Sequence, residues 1–321
     1  MSIKFGIQIE NQFGFNFPNL KEIALNLEKR GYESFFTCDH FFLDKKSESK
    51  DTIEAYTMLS ALATVTSKIK LGTLVTSMSY RKPSMLAKIL GSLDHISNGR
   101  VIIGLGAGWK EIEYNAYGYR FPPLKERMDR LEEGIQIIIK MLTEDKPTYK
   151  GKYYQIENAL NAPKPKQKPY PPILIGGTGR KRTLKMTAKY AQMWNIGMWE
   201  MTQMDEILSV LKDHCKNEGR DYNSIEKTFY GFANILETEE EIEKDVQKQA
   251  KNQNKTKEEI RNSYVYGGGF PGAFIGSSED IIKRYNYLVE KDFTHFQVRF
   301  PLGQELAMSS KFSEQIMPNV K

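Results

Sequence analysis

Eight short apolar runs punctuate the chain, at 3–9, 34–37, 69–76, 100–108, 171–177, 193–197, 225–235 and 294–301. Between them lie stretches with helical spacing, at 19–31, 54–66, 83–97, 124–142, 181–191, 204–219 and 278–292. Most of the runs are continuously apolar rather than alternating, as strands covered on both faces of a parallel sheet are. Eight such β/α units in 321 residues close most simply into a (β/α)8 TIM barrel, with length left for insertions. A doubly wound sheet is the competing architecture. It needs a glycine fingerprint after the first strand, where this chain reads QIENQFG.

Four stretches exceed the alternation: 40–53, 109–123, 143–170 and 237–277. In a barrel they fall mainly after strands, on the face that carries active sites. The chain therefore reads as one domain over 1–321, with a charged, helical insertion near 237–277. The segment YVYGGGFPGAFIG (264–276) reads either as a lid or as a plain connection. Two cysteines, Cys38 and Cys215, cannot build a disulfide framework, so a reducing, cytoplasmic setting is expected. The N-terminus reads as a strand, not a signal peptide, and no apolar run nears the ~18 residues of a membrane span. The net charge is +6, but Lys and Arg alternate with Glu on helical stretches. That pattern is a solvated face and points away from nucleic acid.

The fifth strand runs directly into Gly176, Gly177, Thr178 and Gly179, then into Arg180, Lys181 and Arg182 and a helical pattern. Glycines let a backbone approach a ligand closely. The start of a helix favours an anion. A phosphate at 176–182 is one reading of this turn, and an ordinary tight turn is the other. The fourth strand ends in Gly106, Ala107 and Gly108, where close backbone approach is again open. As a dinucleotide fingerprint GLGAG fails: it sits in the fourth unit, and WKEIEYNAYG after it is no obvious helix start. The second strand ends in TCDHFF, which puts Asp39 and His40 at its C-terminal edge.

Of four histidines, His95 and His214 fall in helical stretches and His295 begins a strand, which marks them as surface or packing residues. Histidine titrates near neutral pH, so His40 is the candidate for proton transfer; a hydrogen-bonded loop histidine is the plainer reading. No second His or Cys lies at ligand spacing from His40, so no metal site is expected. Nucleophile-elbow, P-loop and dithiol motifs are absent from the sequence. Phe41, Trp109, Tyr117, Phe121, Tyr153, Tyr154 and Phe270 fall in the long stretches. They either wall a pocket for an apolar or aromatic small molecule or pack beneath the loops.

The blocks CDHF (38–41), LGTLVTSMSYRKPSM through GLGAGWKEIEYNAYGYRFPP (71–123) and PKPKQKPYPPILIGGTGRKR (163–182) resemble the luciferase-like monooxygenase superfamily. Within it they are most similar to the coenzyme F420-dependent oxidoreductase branch. The likeness runs from the first strand to the last, except over 237–275. It implies a bacterial-luciferase-like TIM barrel, usually a homodimer, with a flavin or deazaflavin across the C-terminal mouth. It implies the cofactor phosphate at Gly176, Gly177, Thr178 and Gly179. It also implies a non-prolyl cis peptide behind the ring, which alignment back from Pro83 puts at Leu74–Val75, beside Thr76. Asp39 and His40 match the pair that contacts the ring or acts on substrate.

One position departs from the pattern. In the superfamily's sugar-phosphate dehydrogenases a Glu follows the fourth-strand glycines, and here that place holds Trp109. The departure argues against sugar-phosphate oxidation. It leaves His40 as the proton donor, with Glu111 and Glu113 as candidate helpers. The expected activity is hydride transfer between F420 and a small organic substrate, with basic residues near the mouth meeting the cofactor's phosphate and oligoglutamate tail. The alternative is an FMN-dependent monooxygenase supplied by a separate flavin reductase. A third reading is a flavin-binding protein without chemistry.

Overall fold

The computed structural model describes residues 2–42, 50–266 and 274–321. Eight strands form the barrel: β1 Lys4–Ile9, β2 Ser34–Thr37, β3 Lys70–Thr73, β4 Val101–Gly106, β5 Ile173–Gly176, β6 Met193–Gly197, β7 Glu226–Ile235 and β8 Phe293–Arg299. Each pairs in parallel with the next, and β8 pairs with β1 in the register Lys4↔His295, so the sheet closes. Helices follow the strands: α1 Phe17–Lys29, α2 Ala55–Val65, α3 Pro83–Ile96, α4 Leu124–Thr143, α5 Thr183–Tyr190, α6 Met204–Asn217, α7 Ser278–Glu290 and α8 Glu305–Gln315. This is a (β/α)8 barrel.

The continuous apolar runs work as expected. All six residues of β4 are buried. Ile103 and Leu105 face the helices, while Ile102 joins Phe36, Leu174 and Met193 inside the barrel. Filling the interior with side chains from several strands makes it a packed core rather than a pore.

Several expectations needed correction. The apolar run at 69–76 is not one strand: β3 stops at Thr73, and Thr76–Ser77 pairs separately with the end of β4. The break is the peptide between Leu74 and Val75, which is cis. Residues 111–116, not an obvious helix start, form a short helix Glu111–Ala116 with both glutamates in its first turn. Negative charge there complements the helix dipole. Helix α8 lacked a clear periodic signal and is held instead by tertiary contact: Phe312 is fully buried, 5.3 Å from Phe5 and 5.5 Å from Phe300 between ring centroids. In the long stretch before β5, Tyr149–Lys150 and Gln155–Ile156 pair as an antiparallel hairpin.

The charged stretch after β7 contains helices Glu239–Gln253 and Lys257–Tyr266. The first opens with a full capping box between Thr238 and Glu241. Most of the lid reading, with Phe270, falls on 267–273, outside the described residues. Phe274–Gly276 is strand, paired with the end of β7.

Candidate active site

The C-terminal ends of the strands enclose a cavity of about 470 Å³. Its floor is the Leu74–Val75 turn, which packs on the interior layer of Phe36, Ile102, Leu174 and Met193. Val75 is seated between two glycines. A Cβ on Gly106 would lie 2.6 Å from Val75 Cγ2, and one on Gly176 would lie 3.0 Å from Val75 Cγ1. These two glycines therefore make room for the valine, and not only for a ligand.

On one side of the floor stands His40. Its Nδ1 is 2.8 Å from Oε2 of Glu113, in the short helix after β4. Glu113 is fully buried. Its Oε1 accepts the backbone N–H groups of Phe41 at 2.8 Å and Phe42 at 3.1 Å, and its Oε2 also accepts the Tyr80 hydroxyl at 2.8 Å. Burial alone would raise this carboxyl, but the hydrogen bond and charge of His40, with the bonds from Phe42 and Tyr80, hold it below the usual range. The same arrangement pushes the Tyr80 hydroxyl well up, through burial and the neighbouring carboxylate. A carboxylate on Nδ1 fixes the ring's orientation and leaves Nε2 as the nitrogen free to meet a ligand.

Asp39 plays a different part from its neighbour. Both of its carboxylate oxygens are taken by the Arg81 guanidinium, at 2.8 and 2.9 Å, and Oδ2 also accepts the Ser77 N–H at 3.1 Å. Burial raises its carboxyl despite Arg81. A bidentate pair of this kind is rigid, so Asp39 secures the end of β2 to the segment after β3 while lining the cavity.

The β5 turn forms the opposite wall. Gly177 has φ +113°, a conformation open to glycine and strained for other residues. Its N–H is already donated to Asn195 O at 3.0 Å. Beyond it α5 begins without a side-chain cap; the Leu184 N–H is donated to the Gly179 carbonyl at 3.1 Å, and the other amides of the first turn suit an anion.

Asp39, His40, Leu74, Val75, Gly106, Ala107, Gly108, Gly176, Gly177 and Thr178 all line the one cavity. Thr76 and Gly179 do not. Thr76 is buried, with its hydroxyl 2.6 Å from both Tyr56 and Thr73, and a Cβ on Gly179 would face Thr183 Oγ1 at 2.7 Å.

The expected basic rim also differs. Arg180 pairs with Glu206 at 3.2 Å and Arg182 with Asp129 at 2.6 Å, because α6 and α4 present carboxylates to the turn. Of the loop aromatics, Trp109 lines the cavity, edge-on to His40 at 5.6 Å. Phe41 stacks on Tyr117 at 4.2 Å, Phe121 meets Tyr114, and Tyr153 and Tyr154 sit beneath Arg130.

The remaining histidines are occupied elsewhere. His95 and His214 bond to backbone carbonyls of Lys164 and Arg180. His295 is buried and driven down to about 3 by desolvation. No cluster of three or more metal-ligating side chains exists among the described residues. No helix among them is long and apolar enough to cross a membrane.

Sequence reasoning missed Gln8, Glu10, Asn195 and Tyr230, which line the cavity from β1, β6 and β7, and Trp199 and Glu200, which line it from the segment after β6. Gln8 and Glu10 stand at the C-terminal end of β1, a position that marks them, whereas Asn195 and Tyr230 lie mid-strand in β6 and β7 with no local signal.

Comparison with known proteins places this geometry. A family model for luciferase-like monooxygenases matches residues 3–286. An F420-dependent glucose-6-phosphate dehydrogenase of Amycolatopsis mediterranei is 33% identical over 174 residues, 54% of this chain and 50% of that relative. The match thus spans about half the relative's length. Among solved structures, an F420-dependent secondary alcohol dehydrogenase in complex with an F420–acetone adduct superposes with TM-score 0.82 at 20% identity, over 100% of both chains. A monooxygenase from Streptomyces bottropensis does so with TM-score 0.81 at 19% identity, over 98% of this chain and 99% of that one. At these identities the structural likenesses establish the fold.

Proposed function

The chain belongs to the luciferase-like monooxygenase family, and from that premise we propose that it is an F420-dependent oxidoreductase acting on a small organic substrate. The deazaflavin, when bound, exchanges a hydride at its ring carbon. The observation that carries this reading is the His40–Glu113 pair inside the mouth. Hydride transfer to or from a carbon–oxygen centre needs an accompanying proton, and a histidine with one free nitrogen can supply or remove it.

The residues present fit such a cofactor. The Leu74–Val75 turn offers an apolar platform for a flat ring. The backbone around Thr178 and the uncapped start of α5 are the phosphate seat in this reading, without needing Arg180 or Arg182; the Thr178 hydroxyl itself donates to Glu200 at 3.1 Å. The protein's own work is then orientation and exclusion of water. Glu113 fixes His40, Arg81 fixes Asp39, and Trp109 covers His40 from the solvent side. A homodimer in the cytoplasm belongs to the same proposal. The FMN-dependent monooxygenase, with a reductase partner, is the second reading. It is favoured by the likeness to the Streptomyces monooxygenase and by a phosphate seat that suits either cofactor.

Fluorescence titration of the purified protein with F420 and with FMN separates the two readings. F420 is expected to bind at least about tenfold more tightly, a difference of about 1.4 kcal/mol. Tighter FMN would replace the deazaflavin reading with the monooxygenase. Thr178→Asp should weaken whichever cofactor binds by about tenfold through like-charge contact, and Thr178→Ala should change it little. Equal binding by both variants would remove the phosphate from this turn. Gly177→Asp is the poorer test, because the φ of +113° would strain the backbone as well.

A further inference from the structure

The wall facing the cavity from β1, β6 and β7 differs in kind from the His40 side. Gln8 is 3% exposed and lines the cavity. Its Nε2 donates to Cys38 Sγ at 3.1 Å, and its Oε1 has no partner. A buried polar atom left unpaired is costly unless a ligand or water meets it. Beside it, one Glu10 oxygen accepts the Tyr230 hydroxyl at 3.0 Å and the other lies 3.2 Å from Arg299 Nη1. A carboxylate offers about four acceptor positions, so Glu10 retains capacity for a further donor.

Arg299 reaches Glu10 from behind, lying 5.2 Å over the Phe13 ring, and does not line the cavity. Among the described residues, the basic side chains that do line it are His40 and Lys110, both engaged with Glu113. Lys110 also donates to the Phe42 carbonyl. Among the described residues, the β1–β7 wall thus presents acceptors, including a carboxylate paired only from behind, with no cation facing inward.

We propose that this wall is a substrate subsite that takes an uncharged or cationic hydrogen-bond donor, a hydroxyl or an N–H, and rejects anions. Gln8 and Glu10 are its specificity-determining residues. The proposal rests on the functional reading above, in which the cofactor lies against the Leu74–Val75 turn and the β5 end. β1 stands across the barrel from β5, so this wall is the one left for a second ligand. A donor group would satisfy Gln8 Oε1 and share Glu10 with Tyr230. An anionic group would meet the Glu10 carboxylate on its cavity side, where none of the described residues offers a cation and Arg299 counters the charge only from behind, so like-charge contact works against it. Phosphate-bearing substrates are excluded on grounds independent of Trp109.

The test uses three probes on one skeleton, benzyl alcohol, benzylamine and benzoate, with binding followed by calorimetry. Each is titrated into the protein alone and into the protein saturated with F420 or FMN, whichever binds. The alcohol and the amine should bind at least about tenfold more tightly than benzoate. Glu10→Gln keeps the shape and removes the charge. It should bring benzoate to within about threefold of the alcohol while leaving cofactor affinity unchanged.

Gln8→Leu removes the free oxygen, should weaken the alcohol and the amine about fivefold, and provides a second reading if Glu10→Gln does not fold. Benzoate binding as well as the alcohol in the wild type, unchanged selectivity in both variants, or no binding of any probe would each overturn the subsite. The cofactor reading fails separately, when neither F420 nor FMN binds, and the selectivity of the protein alone still judges the wall.

Discussion

The two ends of the barrel use buried charge in opposite ways. At the C-terminal mouth, charged side chains are matched to one another: Asp39 to Arg81, His40 to Glu113, Glu10 to Arg299. At the N-terminal rim, beside part-exposed ion pairs such as Lys4–Glu226 and Lys70–Glu33, two charges serve the backbone instead. Arg100, just before β4, is 8% exposed and has no carboxylate bonded to it among the described residues. It donates instead to the carbonyls of Ala63, Thr66, Ile69 and Ser97 and to the Thr66 hydroxyl, at 2.6 to 3.0 Å. Glu28, at the end of α1, accepts the N–H groups of Ser67, Lys68 and Ile69 ahead of β3. The rim sews chain ends together, while the mouth holds side chains ready. The rim residues thus bear on stability and the mouth residues on the proposed chemistry.

Breaking the rim should give the largest effect. Arg100→Met keeps much of the side-chain length but leaves four carbonyls and a hydroxyl short of their donor. A loss of about 3–4 kcal/mol in unfolding free energy is expected, since each such orphan carries a desolvation cost. Chemical denaturation measures it. Cofactor affinity below the transition should match the wild type. A variant of normal stability would remove the contrast between the ends.

His40→Ala makes the reverse cut. Turnover should fall about 100-fold, equivalent to about 2.7 kcal/mol of barrier, with cofactor affinity nearly unchanged and a smaller loss of unfolding free energy, about 1–2 kcal/mol, because the buried Glu113 loses a hydrogen-bond partner. Glu113→Gln should lower turnover by about tenfold, acting through the orientation of His40 rather than by contact with substrate. Steady-state kinetics paired with denaturation decides both. Unchanged turnover in His40→Ala would take this residue out of the mechanism.

The two ends also differ in how much of them the sequence disclosed. Runs such as SFFT and MWNIG coincide with β2 and β6 to the residue, because a strand buried on both faces writes its burial directly as apolar composition. His40 and the glycines Gly176 and Gly177 were legible as cavity residues because they stand at strand ends. The partner of His40 was less so. Glu113 lies 73 residues away on a six-residue helix, and nothing local singles it out from Glu111. The roles of Gly106 and Gly176 were half visible: glycine marks a close approach, but that Val75 makes the approach follows from the break after β3. Arg180 and Arg182 misled because their carboxylate partners come from other helices. Arg100 gave no sign at all, since its acceptors are carbonyls that exist in every sequence.

The smallest effect sharpens the rim by pH. Glu28 accepts three backbone N–H groups and the Ser67 hydroxyl. Burial would raise its carboxyl, but these bonds prevail and lower it from 4.5 to about 2. The folded state therefore holds the proton less readily than the unfolded one. The contribution of Glu28 to stability is fully present above its unfolded value and is lost as pH falls through its folded value. Glu28→Gln should cost about 1 kcal/mol at pH 6, a modest figure because the side chain is part-exposed and partly screened. Between pH 4.5 and about 2 the gap between wild type and variant should close, as the wild type takes up the proton and loses an acceptor. Urea denaturation at pH 6 and pH 3 reads both gaps. Equal gaps would mean that the carboxylate's charge plays no part in holding the start of β3, and that shape alone secures the rim there.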